Sequence, residues 1–565
     1  MFGSREFDRR LFLSATGGTI AGFAAAHVFG APDRESHGVV VGYPRAKEAG
    51  MEIMAAGGNA VDAVIASALV AGVIALPSCG IGGYGGHLMM STRDGRTAAI
   101  DFNSTAPAAA RPDMFPVDAK GDVKNKSNYV GWLAAGVPGT LAGLQLGLDK
   151  FGSMKFAEVV APAIRYAREG FEAPGEYMSW LEPGSKEPAP DPASVKLFSP
   201  GGKLLKKGDR FRNPQLGDLL QQLAESGSVE PFYRGEIARK IAGAFKSNGG
   251  IVTEKDFNDY QAILQTPYEV AYRGYKVTTA PLTAGGLTVL QVLASLSALD
   301  WHKMPSDSPK KFQAMVEALR IAWGDRLRLF GDPQFVDVPV ERLLSEKYAR
   351  ESAGLVRSAV AERRPVAVST DDRTAGGTVN LSACDAEGNM AVVTLTHGDG
   401  FGARVTVDGL GLVLGHGMSR FEPVPGKLNS IAPGKRPLDN MCPSIVLKDG
   451  RPLFAIGGVG GRRIPNGIVL TLLQLLANGR ELEDAVRAPR LHTEGGLDLH
   501  LDHGIPKADA DYMQQVGYSI KPPLGAFVGA VQYTMGKDGK PVIRGAANNQ
   551  LAPRVQQGGR EQPKS

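Results

Sequence analysis

A predicted β-hairpin near residue 387 constrains the fold of this 565-residue chain more than any other feature. Residues 378–384 (TVNLSAC) alternate in polarity as a half-buried strand does, and residues 390–396 (MAVVTLT) predict a second strand. The polar sequence DAEGN at residues 385–389 predicts the turn between them. A hairpin centred on Glu387 places Thr378 opposite Thr396, with Cβ atoms about 5 Å apart. The sequence therefore predicts two adjacent threonine hydroxyls, although such pairs also occur in sheets without any catalytic role.

The remaining chain alternates between helix-rich and strand-rich regions. Helical spacing over residues 43–76, interrupted at Gly57-Gly58-Asn59, predicts two consecutive helices. Residues 140–350 predict mostly helix, with a proline- and lysine-rich surface loop over residues 182–209. Short strands and one apolar helix over residues 466–476 are expected after residue 378. This order of elements favours layers of helix packed on sheet.

Composition excludes several classes of protein. The chain has 63 basic and 58 acidic residues, and a surplus of +5 is too small for a nucleic-acid-binding surface. Three cysteines in no CxxC or Cys/His cluster predict neither a disulfide framework nor structural zinc. The apolar residues 60–76 contain Asp62, so we expect a buried helix there rather than a membrane span. The length alone suggests several domains.

The N-terminus has the pattern of an export signal. Arg9-Arg10 precedes an apolar, glycine- and alanine-rich run to Ala26, with small residues before Ala31-Pro32. We predict a twin-arginine signal over residues 1–31, export to the periplasm and a mature chain that begins near Pro32. The alternative, an ordinary first helix, is disfavoured because each internal glycine costs about 1 kcal/mol of helix propensity.

Two other motifs have simpler explanations than binding sites. Residues 80–85 (GIGGYG) match GxGxxG, but an apolar helix rather than a strand precedes them, which argues against dinucleotide binding. Residues 500–503 (HLDH) could place metal ligands together, but a short polar loop is the favoured explanation. Cys384 and Cys442 have no neighbouring histidine in the sequence and are expected to be buried. We therefore predict no metal site and no cofactor.

Several segments resemble one family in the same order along the chain. Residues 377–382 (GTVNLS) with the DAEGN turn resemble the cleavage-site strand of the γ-glutamyltransferase family, which are N-terminal-nucleophile hydrolases. The further segments that follow the family order are 49–53, 57–63, 80–86, 137–140, 272–275, 332–339 and 435–438. The resemblance implies an α+β fold, a four-layer αββα sandwich. It also implies self-cleavage between Gly377 and Thr378 into an associated large subunit (32–377) and small subunit (378–565).

The implied chemistry is consistent with these residue types. A threonine hydroxyl needs a base, and cleavage before Thr378 would free an α-amine with a pKa near 8 to serve as one. Thr396 would orient the Thr378 hydroxyl. Gly460 and Gly461 match the family's oxyanion pair, in a glycine loop between a predicted strand and a helix starting at Pro465-Asn466. A tight turn without function is the alternative for that loop.

The expected substrate contacts depart from the family pattern. Asn103 stands where an arginine usually holds the substrate α-carboxylate, and Arg420 stands where an aspartate usually holds the ammonium. Asp439-Asn440 replaces a Ser-Ser pair, and Gly398 replaces a common asparagine. The prediction is hydrolysis or transfer of γ-glutamyl, glutathione-like amides. The alternatives are an amidase for another small carboxylate-bearing amide, with Arg420 or Arg404 binding the anion, and an unprocessed non-catalytic protein.

Overall fold

Two six-stranded antiparallel sheets face each other at the centre of the molecule. The computed structural model describes residues 37–119, 121–173, 178–182, 189–368 and 377–548, so the predicted export signal lies outside the described residues. The strands are β1 (Gly38–Val41), β2 (Gly85–Ser91), β3 (Thr97–Asp101), β4 (Phe171–Glu172), β5 (Arg210–Phe211), β6 (Ile263–Gln265), β7 (Tyr268–Tyr272), β8 (Tyr275–Thr279), β9 (Gly377–Asp385), β10 (Met390–Gly398), β11 (Thr406–Val407), β12 (Leu412–Val413), β13 (Ser444–Lys448), β14 (Arg451–Val459), β15 (Leu491–His492), β16 (Asp498–Leu501), β17 (Ser519–Lys521), β18 (Phe527–Met535) and β19 (Pro541–Ala547).

The strand order is β1-β9-β10-β2-β3-β6 in the first sheet and β19-β18-β14-β13-β8-β7 in the second. The helices are α1 (Pro44–Ala55), α2 (Ala60–Ile74), α3 (Thr140–Phe151), α4 (Phe156–Glu169), α5 (Pro192–Phe198), α6 (Pro214–Ser226), α7 (Glu230–Tyr233), α8 (Glu236–Ser247), α9 (Glu254–Asp259), α10 (Gly286–Ala298), α11 (Pro309–Leu329), α12 (Val340–Leu343), α13 (Glu346–Glu362), α14 (Arg463–Leu472), α15 (Leu482–Arg487) and α16 (Lys507–Val516).

Helices cover the outer face of each sheet. Helices α1, α2 and α3 pack on the first sheet, and α10, α14 and α15 pack on the second. Helix α4 packs on α2, and α11 and α13 pack on α10. A thinner apolar core, including Met89, Cys384 and Val531, fills the space between the sheets. The predicted α+β, four-layer αββα sandwich is therefore confirmed.

The alternation of side chains along β9 decides which residues face the site. Val379, Leu381 and Ala383 point into the helix-side core, because successive side chains of a strand point to opposite faces. Cys384 lies in the core between the sheets, and Thr378 is on that same face. The sequence pattern thus directs the Thr378 hydroxyl between the two sheets.

The two segments separated by the predicted cleavage site do not form separate domains. Strands from before and after the Gly377–Thr378 bond contribute to both sheets. The described residues 37–548 belong to one compact unit, so the several domains suggested by length are not found. A single cut at this bond would leave two chains held together by shared sheets.

The predicted helix pair at the start of the fold is confirmed. Asn59 caps α2 by accepting hydrogen bonds from the Val61 and Asp62 amides, and Asp62 in turn accepts one from the Asn59 amide. Every residue of α2 is buried, including Asp62, which also accepts the amide N–H groups of Ser153 and Met154. Among the described residues, no helix is long and apolar enough to cross a membrane.

Residues 140–350 are mostly helical, as predicted, although they also contain the short strands β6, β7 and β8, which pairing with neighbouring strands stabilises. Three local expectations were wrong. Helix α5 lies inside the segment expected to be a loop. Helix α14 begins at Arg463, because proline is accommodated in the first turn of a helix. His500 lies in strand β16 rather than in a loop.

Candidate active site

The candidate nucleophile lies at the start of a central strand. Thr378 is the second residue of β9, directly after Gly377, and is only 5% exposed. The predicted hairpin register is confirmed up to the pair Val379 and Leu395. Beyond that pair the register shifts, so that Gly398 lies opposite Gly377. This β-bulge sits at the predicted cleavage bond.

Thr396 lies within the same bulge. Its Oγ1 accepts a hydrogen bond from the Gly398 amide at 2.7 Å, in a position that is 2% exposed. Thr378 and Thr396 line one cavity, as the hairpin count predicts. The proposed orienting hydrogen bond from Thr396 to the Thr378 hydroxyl stays a prediction.

This cavity brings together most of the predicted site residues. Its lining residues are Tyr84, Thr378, Thr396, Arg420, Asp439, Asn440, Met441, Gly461 and Ile464. Asn103 and Gly460 are not among them. Asn103 lies behind the lining residue Asp439, and Gly460 directly precedes the lining residue Gly461.

The glycine loop after β14 has the geometry expected of an oxyanion-binding site. Gly460 and Gly461 have φ values of 136° and 61°, a backbone conformation that favours glycine. Neither amide N–H donates a hydrogen bond to another described residue. Helix α14 follows at once, so its positive N-terminal dipole lies beside the cavity wall formed by Gly461.

The Asn103 side chain forms hydrogen bonds within the protein. Its side-chain amide donates to Thr283 Oγ1 at 3.0 Å, to the Pro437 carbonyl at 2.7 Å and to Asp439 Oδ2 at 3.2 Å. The structure therefore places Asn103 behind Asp439, where it supports a lining residue.

Asp439 and Asn440 are both lining residues, and each is held from behind. Asp439 Oδ1 accepts the Met441 amide at 2.8 Å, and its Oδ2 lies 2.8 Å from His87 Nε2. Asn440 Oδ1 accepts Arg326 Nη2 at 3.0 Å. Burial lowers the pKa of Arg326 to about 10, which still leaves this guanidinium a cation near neutral pH.

Arg420 places a cation in the cavity wall. It donates hydrogen bonds to the Gly398 carbonyl and to the Tyr84 hydroxyl. Burial on its own lowers the pKa of Arg420, and the surrounding tyrosines and carboxylates more than offset this effect, so the net shift is upward. The side chain is therefore a permanent cation suited to bind a carboxylate. Arg404, the other candidate anion ligand, is not a lining residue.

Tyr84 and His87 are site residues that sequence reasoning missed. Tyr84 is the aromatic residue within a run of glycines, and it is 3% exposed and lines the cavity. Burial raises the pKa of its hydroxyl, which keeps it protonated. An aromatic side chain within a run of glycines was a usable signal for Tyr84. His87 had no comparable signal, because its partners come from distant parts of the sequence.

The other chemically notable residues stay apart from this cavity. All three cysteines are buried with free thiols, and burial raises the pKa of each thiol. Within the described ranges, no group of three or more His, Cys, Asp or Glu side chains is arranged to hold a metal ion.

Fold and site together define the class of this protein. A threonine at the start of a central strand, between two antiparallel sheets covered by helices, is the arrangement of an N-terminal-nucleophile hydrolase. Residues 46–554 match the family described as Gamma-glutamyltranspeptidase. The chain belongs to this family, and it is an enzyme.

The relatives of this chain include two kinds of enzyme. It is 34% identical over 532 residues to the glutathione hydrolase proenzyme of Escherichia coli K12, covering 90% of each chain. It is also 34% identical over 497 residues to the acylase ACY 1 proenzyme of Pseudomonas sp. SE83, covering 86% of this chain and 88% of that one. The crystal structure of cephalosporin acylase from Bacillus halodurans superposes with a TM-score of 0.81 at 26% identity, over 93% of this chain and 97% of that one.

Proposed function

We propose that this chain is the precursor of a self-cleaving amidohydrolase or acyltransferase that uses Thr378 as its nucleophile. One observation carries the proposal: the Thr378 side chain shares a single cavity with Thr396, Gly461 and Arg420. That cavity combines a hydroxyl, a neighbouring hydroxyl to orient it, a backbone donor for an oxyanion and a cation for the substrate.

Self-cleavage would follow from the position of Thr378. Its Oγ attacks the Gly377 carbonyl carbon, the C–N bond breaks, and the nitrogen leaves as the free α-amine of Thr378. Water then hydrolyses the resulting ester, which gives a Gly377 carboxylate and restores the Thr378 hydroxyl. Gly377 has no side chain to obstruct this attack.

Substrate turnover would use the same atoms. Thr378 Oγ attacks the substrate amide carbonyl while the new α-amine accepts its proton. The Gly460 and Gly461 amides stabilise the oxyanion, a contribution of about 3 kcal/mol per donor in acyl-transfer enzymes. The amine product leaves with a proton, and water or a second amine resolves the acyl-enzyme ester.

The acyl group we propose ends in a carboxylate that Arg420 binds. A γ-glutamyl group, as in glutathione-like amides, also carries an ammonium, and Asp439 is the carboxylate available to it. Both Asp439 oxygens already accept hydrogen bonds from the protein, and His87 offsets the charge. These contacts favour a glutaryl-type acyl group over γ-glutamyl as the preferred substrate.

Mass spectrometry of the purified protein tests the self-cleavage. We expect two fragments that meet at Gly377–Thr378 without added protease, and an intact chain for Thr378→Ala. A wild-type chain that stays intact while it hydrolyses an amide would refute the assignment of Thr378. Turnover is then measured with γ-glutamyl and glutaryl p-nitroanilides on the same preparation.

We also propose export through the N-terminal signal over residues 1–31. Replacing Arg9 and Arg10 by lysine is expected to retain the precursor inside the cell, because the twin-arginine pair is the recognised element. Cell fractionation of the paired variant and wild type measures this. Equal export of both proteins would contradict it.

A further inference from the structure

A buried histidine lies behind the cavity wall, between two carboxylates. His87 on β2 is completely buried. Its Nε2 lies 2.8 Å from Asp439 Oδ2, and its Nδ1 lies 4.0 Å from Asp101 Oδ1. Asp101 is the residue directly opposite His87 on β3. The imidazole therefore connects a cavity-lining carboxylate to a second carboxylate deeper in the protein.

The two carboxylates beside His87 favour its protonated form. Asp101 Oδ2 also faces the buried Arg436 guanidinium at 3.6 Å. The cluster then holds two anions, one permanent cation and His87. Because an uncompensated charge is costly in a buried site, this arrangement favours the imidazolium. Burial by itself lowers the pKa of His87, and Asp439 and Asp101 more than offset it, so the net shift is upward.

Other titratable groups surround the cluster from the neighbouring elements. Arg326 and Arg420 face Asp439, while Tyr260 and Asp332 face the Asp101 and Arg436 pair. Tyr84 faces Asp439 from the cavity side. The two arginines are permanent cations, and burial keeps both tyrosines neutral. Of the side chains next to Asp439, His87 is thus the one whose charge changes when it gains or loses a proton. The freed α-amine of Thr378, with a pKa near 8, also lies at the cavity and titrates independently of His87.

Resting on the proposed function, we propose that His87 is a positioning residue that sets the charge of the cavity wall through Asp439 and thereby selects the acyl group. With His87 protonated, Asp439 is compensated and Arg420 dominates the cavity, so a carboxylate without an ammonium binds best. With His87 neutral, one positive charge beside Asp439 is lost, and the cavity wall attracts an ammonium more strongly. Substrate choice between glutaryl-type and γ-glutamyl-type acyl groups therefore depends on the protonation of His87.

Calorimetric binding of glutarate and L-glutamate tests this without any need for turnover. Both carboxylates of each ligand are ionised from about pH 6 to about pH 8.5. The glutamate ammonium also keeps its proton over this range, because the adjacent α-carboxylate makes the amine of a free amino acid more basic than the N-terminal amine of a chain. For wild type, we expect the Kd of glutamate relative to that of glutarate to fall as pH rises through the His87 transition, by about tenfold. His87→Gln, which keeps a donor but has no charge, should hold the ratio at its high-pH value throughout. His302→Gln, a histidine in the Trp301–Lys303 turn, is the matched control and should behave as wild type.

A double-mutant comparison separates this role from a structural one. In an Asp439→Asn background, adding His87→Gln should leave the ratio of dissociation constants unchanged, because the effect acts through the Asp439 charge. The Thr378 α-amine also loses its charge in this pH range, and its effect on the ratio does not depend on Asp439. Loss of the pH dependence in Asp439→Asn would therefore support the proposal even if His87→Gln does not fold, and a pH dependence that persists in Asp439→Asn would overturn it.

Three other results would also overturn the proposal. They are a wild-type ratio of the two dissociation constants that is independent of pH, a ratio in His87→Gln that varies with pH as it does in wild type, and the failure of both ligands to bind. Failure of the proposed function is recognised separately, as an intact chain by mass spectrometry and no turnover of either amide.

Discussion

Removing the Thr396 hydroxyl tests the link between the β-bulge and self-cleavage. Thr396 Oγ1 accepts the Gly398 amide at 2.7 Å in a buried position, so Thr396→Ala leaves that N–H without its partner. A buried donor left unsatisfied costs about 1–3 kcal/mol. If the same interaction orients the reacting bond, a loss of about 1.4 kcal/mol in the transition state slows self-cleavage about tenfold.

The chain offers a matched control two residues away. Thr394 lies on the same face of β10, is also buried, and donates from Oγ1 to Asn380 Oδ1 at 3.1 Å. Thr394→Ala is expected to lower the free energy of unfolding by about 1 kcal/mol without slowing cleavage, because Thr394 does not line the cavity. Thr396→Ser keeps the hydroxyl and should cleave at nearly the wild-type rate.

The assay follows the intact precursor and its two fragments over time by mass spectrometry, with urea unfolding measured on the same samples. Equal slowing by Thr394→Ala and Thr396→Ala would mean that destabilisation alone controls cleavage. No slowing by Thr396→Ala would refute the role assigned to its hydroxyl.

Three further predictions follow from the same contacts. Arg420→Asp should shift the kcat/KM ratio from glutaryl towards γ-glutamyl p-nitroanilide by about tenfold, since it replaces the cavity cation with an anion; the same ratio in both proteins would contradict substrate recognition by Arg420. Asp62→Ala should lower the free energy of unfolding by about 3 kcal/mol in urea titrations, because the part-buried N–H groups of Asn59, Ser153 and Met154 lose their acceptor; a loss below about 1 kcal/mol would be inconsistent with that network. Burial lowers the pKa of His397 in the folded protein to about 3, whereas in the unfolded chain it is about 6.5. As pH falls from about 6.5 towards 3, only the unfolded chain binds a proton at this histidine, so the free energy of unfolding decreases over that range. Urea midpoints at two pH values should therefore differ less in His397→Leu than in wild type, and an equal difference would count against a neutral, buried His397.

Much of the candidate site was predictable because it depends on local patterns. The DAEGN turn and the two flanking segments fix a hairpin centre, and counting from it brings Thr378 and Thr396 to one end. The glycine loop before α14 has a recognisable composition. Counting residues from the turn does not predict the β-bulge between Leu395 and Gly398. A single shift in strand register does not change the alternation of side chains in a way that can be recognised in the sequence.

The roles of the substrate-side residues were less predictable. Comparison with the family pattern predicted that Asn103 contacts the substrate. In the structure its side-chain amide instead donates hydrogen bonds to Thr283, Pro437 and Asp439. Short strands such as β6 and β7 were also missed. Their pairing partners, rather than their own residues, supply most of their stability.

The sequence by itself determined the hairpin and the face on which Thr378 lies, because these follow from side-chain periodicity and local turn chemistry. It also indicated the family and the four-layer fold, through the resemblance of several segments to one family in the same order. Only the tertiary structure decided the charge of the cavity. His87, Asp101, Arg420 and Asp439 come from strands and turns far apart in the chain, and their ionisation depends on burial and on distances of a few ångströms. Electrostatic energy in a buried site is set by such distances, and no linear pattern of residues contains them.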